Sequence, residues 1–136
     1  MKTKDSKISK DSGAKLLTDV ELELMTILWP LKEGSVAEVI EQLPKKRDLA
    51  YTSVSTILRI LEQKEIVKTR KEGRGHIYIP LLTKSEYESR TVKHVIDKVF
   101  NGTALSFVKQ LLNQVEIDQN EIDELKKLIG TLEGKK

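Results

Sequence analysis

Apolar residues recur along this chain at helical spacing in six stretches and as short strand-like runs in two. The first helical stretch opens at Thr18-x-x-Glu21, a capping box in which hydroxyl and carboxylate each satisfy a backbone N–H. Val20, Leu24, Ile27 and Leu28 fall on one side of this helix, and Leu22, Met25 and Trp29 on the other. Two apolar sides predict a helix between two layers, with Trp29 in the core. Pro30 lacks a backbone N–H and is expected to stop the helix after Trp29. Gly34 turns the chain, and Ser35-x-x-Glu38 opens a short helix over roughly 35–43 that presents Val36, Val39, Ile40 and Leu43. Leu43-Pro44 closes it, because a residue before proline avoids the helical region.

A third helix is predicted from Tyr51 to about Lys64. Val54, Ile57, Leu58 and Leu61 follow the i, i+3, i+4, i+7 pattern of one core-facing stripe. The opposite arc receives Thr52, Ser55, Thr56, Arg59 and Gln63: small or hydrogen-bonding, one arginine, no acid. An ordinary solvated face mixes Glu and Lys, so this arc has the composition of a reading face. Ile66–Arg70 and His76–Leu81 then read as strands. Between them, Lys71-Glu72-Gly73-Arg74-Gly75 holds two glycines able to supply the positive φ of a hairpin turn. The expected product is a β-ribbon with a basic tip carrying Arg70, Lys71 and Arg74.

Thr83-x-x-Glu86 opens a long helix to about Phe100, in which Val92, Val95, Ile96, Val99 and Phe100 form a narrow stripe near heptad spacing. Asn101-Gly102 is a left-handed helix stop. A fifth helix, about 103–114, carries Ala104, Leu105, Val108, Leu111 and Leu112, and a sixth from Asp118 carries Ile122, Leu125, Ile129 and Leu132. Three amphipathic helices cannot bury all these stripes among themselves in so short a segment. A second copy is the expected cover, with Val92, Ile96, Val99, Leu105, Val108, Leu112, Ile122, Leu125 and Ile129 as the dimerisation residues.

The division expected from these elements is a disordered N-terminal arm over 1–17, polar and aperiodic, a winged-helix domain over 18–82, and a helical dimerisation domain over 83–136. The fold class is mostly α: a winged helix-turn-helix with a two-stranded wing, followed by three helices. Composition narrows the chemistry. No cysteine is present among the 136 residues, which excludes disulfides, thiolate metal sites and cysteine nucleophiles. The two histidines, His76 beside the wing and His94 on the long helix, lack a third ligand nearby, so neither metal nor cofactor is expected. Neither a nucleophile paired with a base nor a cleft with paired carboxylates is evident, and an enzyme is not expected. With no spanning segment or secretory signal, the expected compartment is the cytoplasm, without membrane association.

Charge is unevenly spread. The net is +3, yet residues 45–74 carry nine bases against four acids, while 103–133 carry three bases against six acids. A basic middle suits a polyanion. A major groove about 12 Å wide admits one helix whose outward side chains meet base edges, and a cationic ribbon can straddle neighbouring phosphates. Thr52, Ser55, Thr56 and Arg59 are therefore the candidate base readers, and Lys46, Arg70, Lys71 and Arg74 the candidate phosphate contacts. The competing reading is a winged-helix interaction module of a larger assembly that binds no duplex.

Leu17-Thr18-Asp19-Val20-Glu21-Leu22-Glu23-Leu24-Met25-Thr26-Ile27-Leu28-Trp29, Leu49-Ala50-Tyr51-Thr52-Ser53-Val54-Ser55-Thr56-Ile57-Leu58-Arg59, Phe100-Asn101-Gly102 and Glu121-Ile122-Asp123-Glu124-Leu125 resemble segments of one family. It is the BlaI/MecI/CopY (penicillinase repressor) family of bacterial transcriptional repressors, matched over about 17–130. The resemblance implies a homodimer on double-stranded DNA at a palindromic operator, with negative regulation of transcription as the output. The copper-responsive branch carries a cysteine cluster near its C-terminus, which this chain lacks. The β-lactam-responsive branch is cut at an Asn-Phe bond in its dimerisation helix. The matching pair here is Ser106-Phe107, the candidate cleavage site for a sensor protease. Glu65 stands where the family usually has the glycine that ends the recognition helix, at a cost of roughly 1 kcal/mol if the left-handed geometry is kept.

Overall fold

A computed structural model describes residues 16–134. Six helices and two strands follow one another as α1 (Asp19–Leu31), α2 (Val36–Gln42), α3 (Tyr51–Gln63), β1 (Val67–Glu72), β2 (Gly75–Pro80), α4 (Lys84–Lys98), α5 (Ala104–Gln114) and α6 (Gln119–Gly134). The first three helices with the β1–β2 hairpin form a winged helix-turn-helix. The expected arm lies outside the described residues except for its last two positions. Of these, Leu17 is buried, and its N–H donates to the Tyr87 hydroxyl at 3.0 Å, so order begins before the first cap.

The helix starts follow local chemistry. Both halves of the capping box are made at Thr18/Glu21 and at Ser35/Glu38, and Thr83 and Glu86 exchange the same two hydrogen bonds ahead of α4. Helix α1 does not stop at Pro30, which sits within its last turn. A proline there forfeits one N–H bond, but its fixed φ suits the helix. The chain leaves at Lys32, φ 74°, whose N–H reaches the carbonyls of Leu28 and Trp29.

The end of α3 is a Schellman motif. The Glu65 N–H donates to the Glu62 carbonyl and the Ile66 N–H to the Leu61 carbonyl, both at 2.9 Å. Glu65 adopts φ 63°, so the left-handed stop is kept without glycine. Burial of Leu61 and Ile66 supplies the apolar contact that accompanies this motif.

Val54, Leu58 and Leu61 of α3 pack into a core with Leu24, Met25 and Leu28 of α1, Val36 and Val39 of α2, and Val67 and Tyr78 of the hairpin. The strands run antiparallel with Thr69 opposite Tyr78 and Glu72 opposite Gly75. Only two residues lie in the turn. Gly73 alone supplies positive φ, 60°, and Gly75 is an ordinary strand residue. Gly34 exchanges both backbone hydrogen bonds with Tyr78, at 3.0 and 2.8 Å, adding a one-residue third strand beside β2.

Trp29 is at the edge of the core, not inside it. Its indole N–H donates to the Leu82 carbonyl at 2.8 Å, and its ring lies 5.9 Å from that of Tyr87. Buried Tyr87 belongs to α4, so that helix begins inside the N-terminal unit. The chain divides between His94 and Val95, twelve residues beyond the boundary expected at Leu82. In the C-terminal unit, Phe100 and Phe107 meet edge to face at 5.6 Å. No residue of α5 or α6 is buried, and Val99 and Leu105 are 66% and 62% exposed.

One ion pair ties the first helix to the third. Lys64 Nζ donates to Glu21 Oε2 at 2.7 Å, while Glu21 Oε1 accepts the Thr18 N–H. Glu21 is 5% exposed. Burial pushes its carboxyl up, but the bonds from Lys64 and Thr18 and the ammonium charge outweigh it, and the net shift is downward. A carboxyl lowered by folding stabilises fully above its ordinary value of 4.5 and loses that contribution as pH falls through the folded value. Glu21→Gln retains the cap acceptor but not the charge. Near neutral pH it is expected to lower stability by about 1 kcal/mol. In urea titrations across pH, the gap from the parent should close as pH falls below 4.5.

Candidate nucleic-acid interface

Val54, Leu58 and Leu61 of α3 are buried and Ile57 packs against the same core, which leaves the opposite side of the helix outside. Thr52, Thr56 and Arg59 are exposed and Ser55 is half-buried, so these four occupy the solvent side of one 13-residue helix. Tyr51, 59% exposed at its first position, extends this surface. Ala50 precedes it with no side-chain cap, and the first turn holds no acid. Backbone N–H groups of that turn are thus left to solvent or to an anion. The apolar periodicity of α3 reveals neither the exposure of Tyr51 nor the uncapped start. Their signal was available in Asp48-Leu49-Ala50, where no hydroxyl or carboxamide stands at the cap.

The wing is fixed against α3. Thr69 Oγ1 donates to Glu62 Oε2 at 2.9 Å. Burial, with the Glu62 carboxylate adding to it, holds the Tyr78 phenol above its ordinary range, and the Arg59 charge opposes the shift. Strand alternation groups Val67, Thr69 and Lys71 with Pro80, Tyr78 and His76 on one ribbon face. Lys68, Arg70 and Glu72 take the other. Lys71 and His76 are therefore opposite each other on the face that meets α3, and Arg70 is on the reverse.

The basic segment separates into two sets. Arg70 makes a two-pronged contact with Glu33 at 3.2 and 3.0 Å and a further one with Glu72 at 3.4 Å. These bonds hold the Glu33 carboxyl below, and the Arg70 guanidinium above, their ordinary ranges. Arg47 Nε engages both oxygens of Glu23 at 3.0 and 2.8 Å, and Lys64 serves Glu21. Lys45, Lys46, Arg59, Lys68, Lys71 and Arg74 make no ion pair among the described residues. Of the four candidate phosphate contacts, Lys46, Lys71 and Arg74 are thus uncompensated, whereas Arg70 already holds two carboxylates.

The C-terminal candidates sit apart from this surface in sequence. Leu105, Val108, Leu112, Leu125 and Ile129 are exposed on their helices, as is Val92, and Val99 is exposed just past the end of α4, while Ile96 and Ile122 are half-buried. Ser106 is exposed in the first turn of α5, and Phe107 is half-buried beside Phe100. Among the described residues, no group of three or more His, Asp or Glu could hold a metal ion, and no helix is long and apolar enough to cross a membrane.

Residues 17–131 match the family model described as penicillinase repressor. The methicillin resistance regulatory protein MecI of Mammaliicoccus sciuri is 27% identical over 84% of this chain and 93% of its own length. The transcriptional regulator BlaI of Mycobacterium tuberculosis is 30% identical over 87% of this chain and 86% of its own. A solution structure of the DNA-binding domain of the repressor BlaI covers 52% of this chain and 87% of that one, at 32% identity and a TM-score of 0.47.

The sorting of cations has a direct readout. Lys71→Ala with Arg74→Ala should lower the salt needed to elute the protein from an immobilised polyanion. Glu23→Ala with Arg47→Ala removes two charges that cancel and should leave elution unchanged.

Proposed function

The chain belongs to the penicillinase repressor family, and on that premise we propose that it is a dimeric repressor of transcription that binds a palindromic DNA operator. The observation that carries this reading is the acid-free set Thr52, Ser55, Thr56 and Arg59 on α3, beside a wing whose Lys71 and Arg74 have no carboxylate partner among the described residues. Thr52, Ser55, Thr56 and Arg59 read base edges, with Arg59 suited to a two-pronged contact to guanine. Lys46, Lys71 and Arg74 hold phosphates and set register without reading sequence. Arg70, held by Glu33 and Glu72, braces the wing and is set apart from these phosphate contacts. The open N–H groups at the start of α3 favour a phosphate there as well.

Two copies join through Val92, Ile96, Val99, Leu105, Val108, Leu112, Ile122, Leu125 and Ile129. The exposed apolar faces of α5 and α6 support this, because a lone chain would leave them in water. The pairing presents two recognition helices about one DNA turn, roughly 34 Å, or a multiple of it apart, hence an inverted repeat. Relief of repression is by a sensor protease at Ser106-Phe107. Thr103 makes no side-chain cap for α5, so the first turn, which holds this bond, is the part of the helix readiest to unwind into a protease cleft.

Binding-site selection from random duplexes, followed by footprinting, tests the reading, and an unprotected inverted repeat would sink it. Arg59→Ala should cost about 1–3 kcal/mol on the selected site and relax preference at one base pair. Lys71→Ala should weaken all duplexes alike and reduce the salt slope by about one. In sedimentation, Ile129→Asp should convert a dimer to a monomer. In cells carrying the sensor protease, induction should yield a cut before Phe107, and a chain that stays intact would refute the relief step.

A further inference from the structure

Behind the wing, a cleft of about 560 Å³ is lined by Trp29, Pro30, Lys32, Pro80, Thr83, Lys84 and Ser85. Its volume falls in the range of small-molecule sites, ~300–1,000 Å³. It is walled by the end of α1, the last residue of β2 and the first turn of α4, and it contains none of the residues assigned to DNA. Its three ring-bearing walls are stiff. Pro30 and Pro80 have no rotamers to lose, and Trp29 is fixed by its bond to the Leu82 carbonyl and by Tyr87 on its flank. A flat ligand body placed on these rings would order little that is not already ordered.

The polar part of the lining has one sign. Lys32 makes no ion pair among the described residues, and no carboxylate lines the cleft. Lys84 holds Glu88 at 2.8 Å and leaves Lys32 as the uncommitted charge. Ser85 adds a hydroxyl, and that of Thr83 already accepts the Glu86 N–H at 3.0 Å. An acid-free lining of rigid rings with a spare ammonium is complementary to a planar apolar body that bears a carboxylate.

We propose that this cleft is a binding site for a small aromatic carboxylate, with the ring on Trp29 and the prolines and the anion at Lys32. Trp29 is the single tryptophan of the chain, so its indole N–H gives one isolated signal in a nitrogen–proton correlation spectrum. Titrating the full-length protein with naphthoate should move that signal saturably, together with the amides of Lys84 and Ser85. The neutral isostere naphthalenemethanol should bind at least about fivefold more weakly, and Lys32→Gln should weaken naphthoate by a similar factor, the effect of losing one charge-assisted contact. The proposal is overturned by an absence of saturable shifts up to about 1 mM, by equal binding of the alcohol, by an unchanged dissociation constant in Lys32→Gln, or by shifts centred on α3.

Discussion

The candidate surface on α3 follows from how little of that helix is given to the core. Three fully buried side chains, Val54, Leu58 and Leu61, hold a helix of 13 residues. A narrower anchor could not fix the helix, and a wider one would consume Ser55 or Arg59. The deficit is made up at the ends and edges. The Schellman stop at Glu65 fixes where the helix leaves, Lys64 reaches back to Glu21, and Glu62 receives the Thr69 hydroxyl from the ribbon. A polar arc can remain exposed because polar bonds outside it orient the helix.

The same economy governs charge. Glu21, Glu23 and Glu33 lie on or just after α1, and each captures a cation from a later segment: Lys64, Arg47 and Arg70. These pairs join α1 to α3, to the loop before α3 and to the wing. With those cations matched to acids, the excess that remains is concentrated at Lys45, Lys46, Arg59, Lys68, Lys71 and Arg74. The basic character of residues 45–74 is thus a structural framework together with a separate set of charges that make no ion pair among the described residues. Exposed pairs of this kind add little to stability; their value is in deciding which cations are unspent.

Much of the fold was legible because its signals are local. Capping boxes at Thr18, Ser35 and Thr83 and the single stripe on α3 each need only a few neighbouring residues. What escaped was non-local. Arg70 and Glu33 are 37 residues apart, and no periodicity connects them. Leu17 looked like the end of an arm because its partner, Tyr87, lies 70 residues away. The same tyrosine ties the start of α4 to the N-terminal unit. Pro30 differs for another reason: it stands in a last turn, where one missing bond is tolerated, and not in a helix interior. On the candidate surface, Thr52, Thr56 and Arg59 were placed outside by helix geometry alone, whereas the committed state of Arg70 required the third dimension.

Neither α5 nor α6 buries a residue, and under the proposed pairing of two chains this ties repression to the protein's own abundance. Assembly of two chains rises with the square of chain concentration at low dosage, so halving the copy number removes up to three-quarters of the assembled form. A gene under such control would respond sharply to dilution by growth and to turnover of the protein, even before any inducing signal arrives.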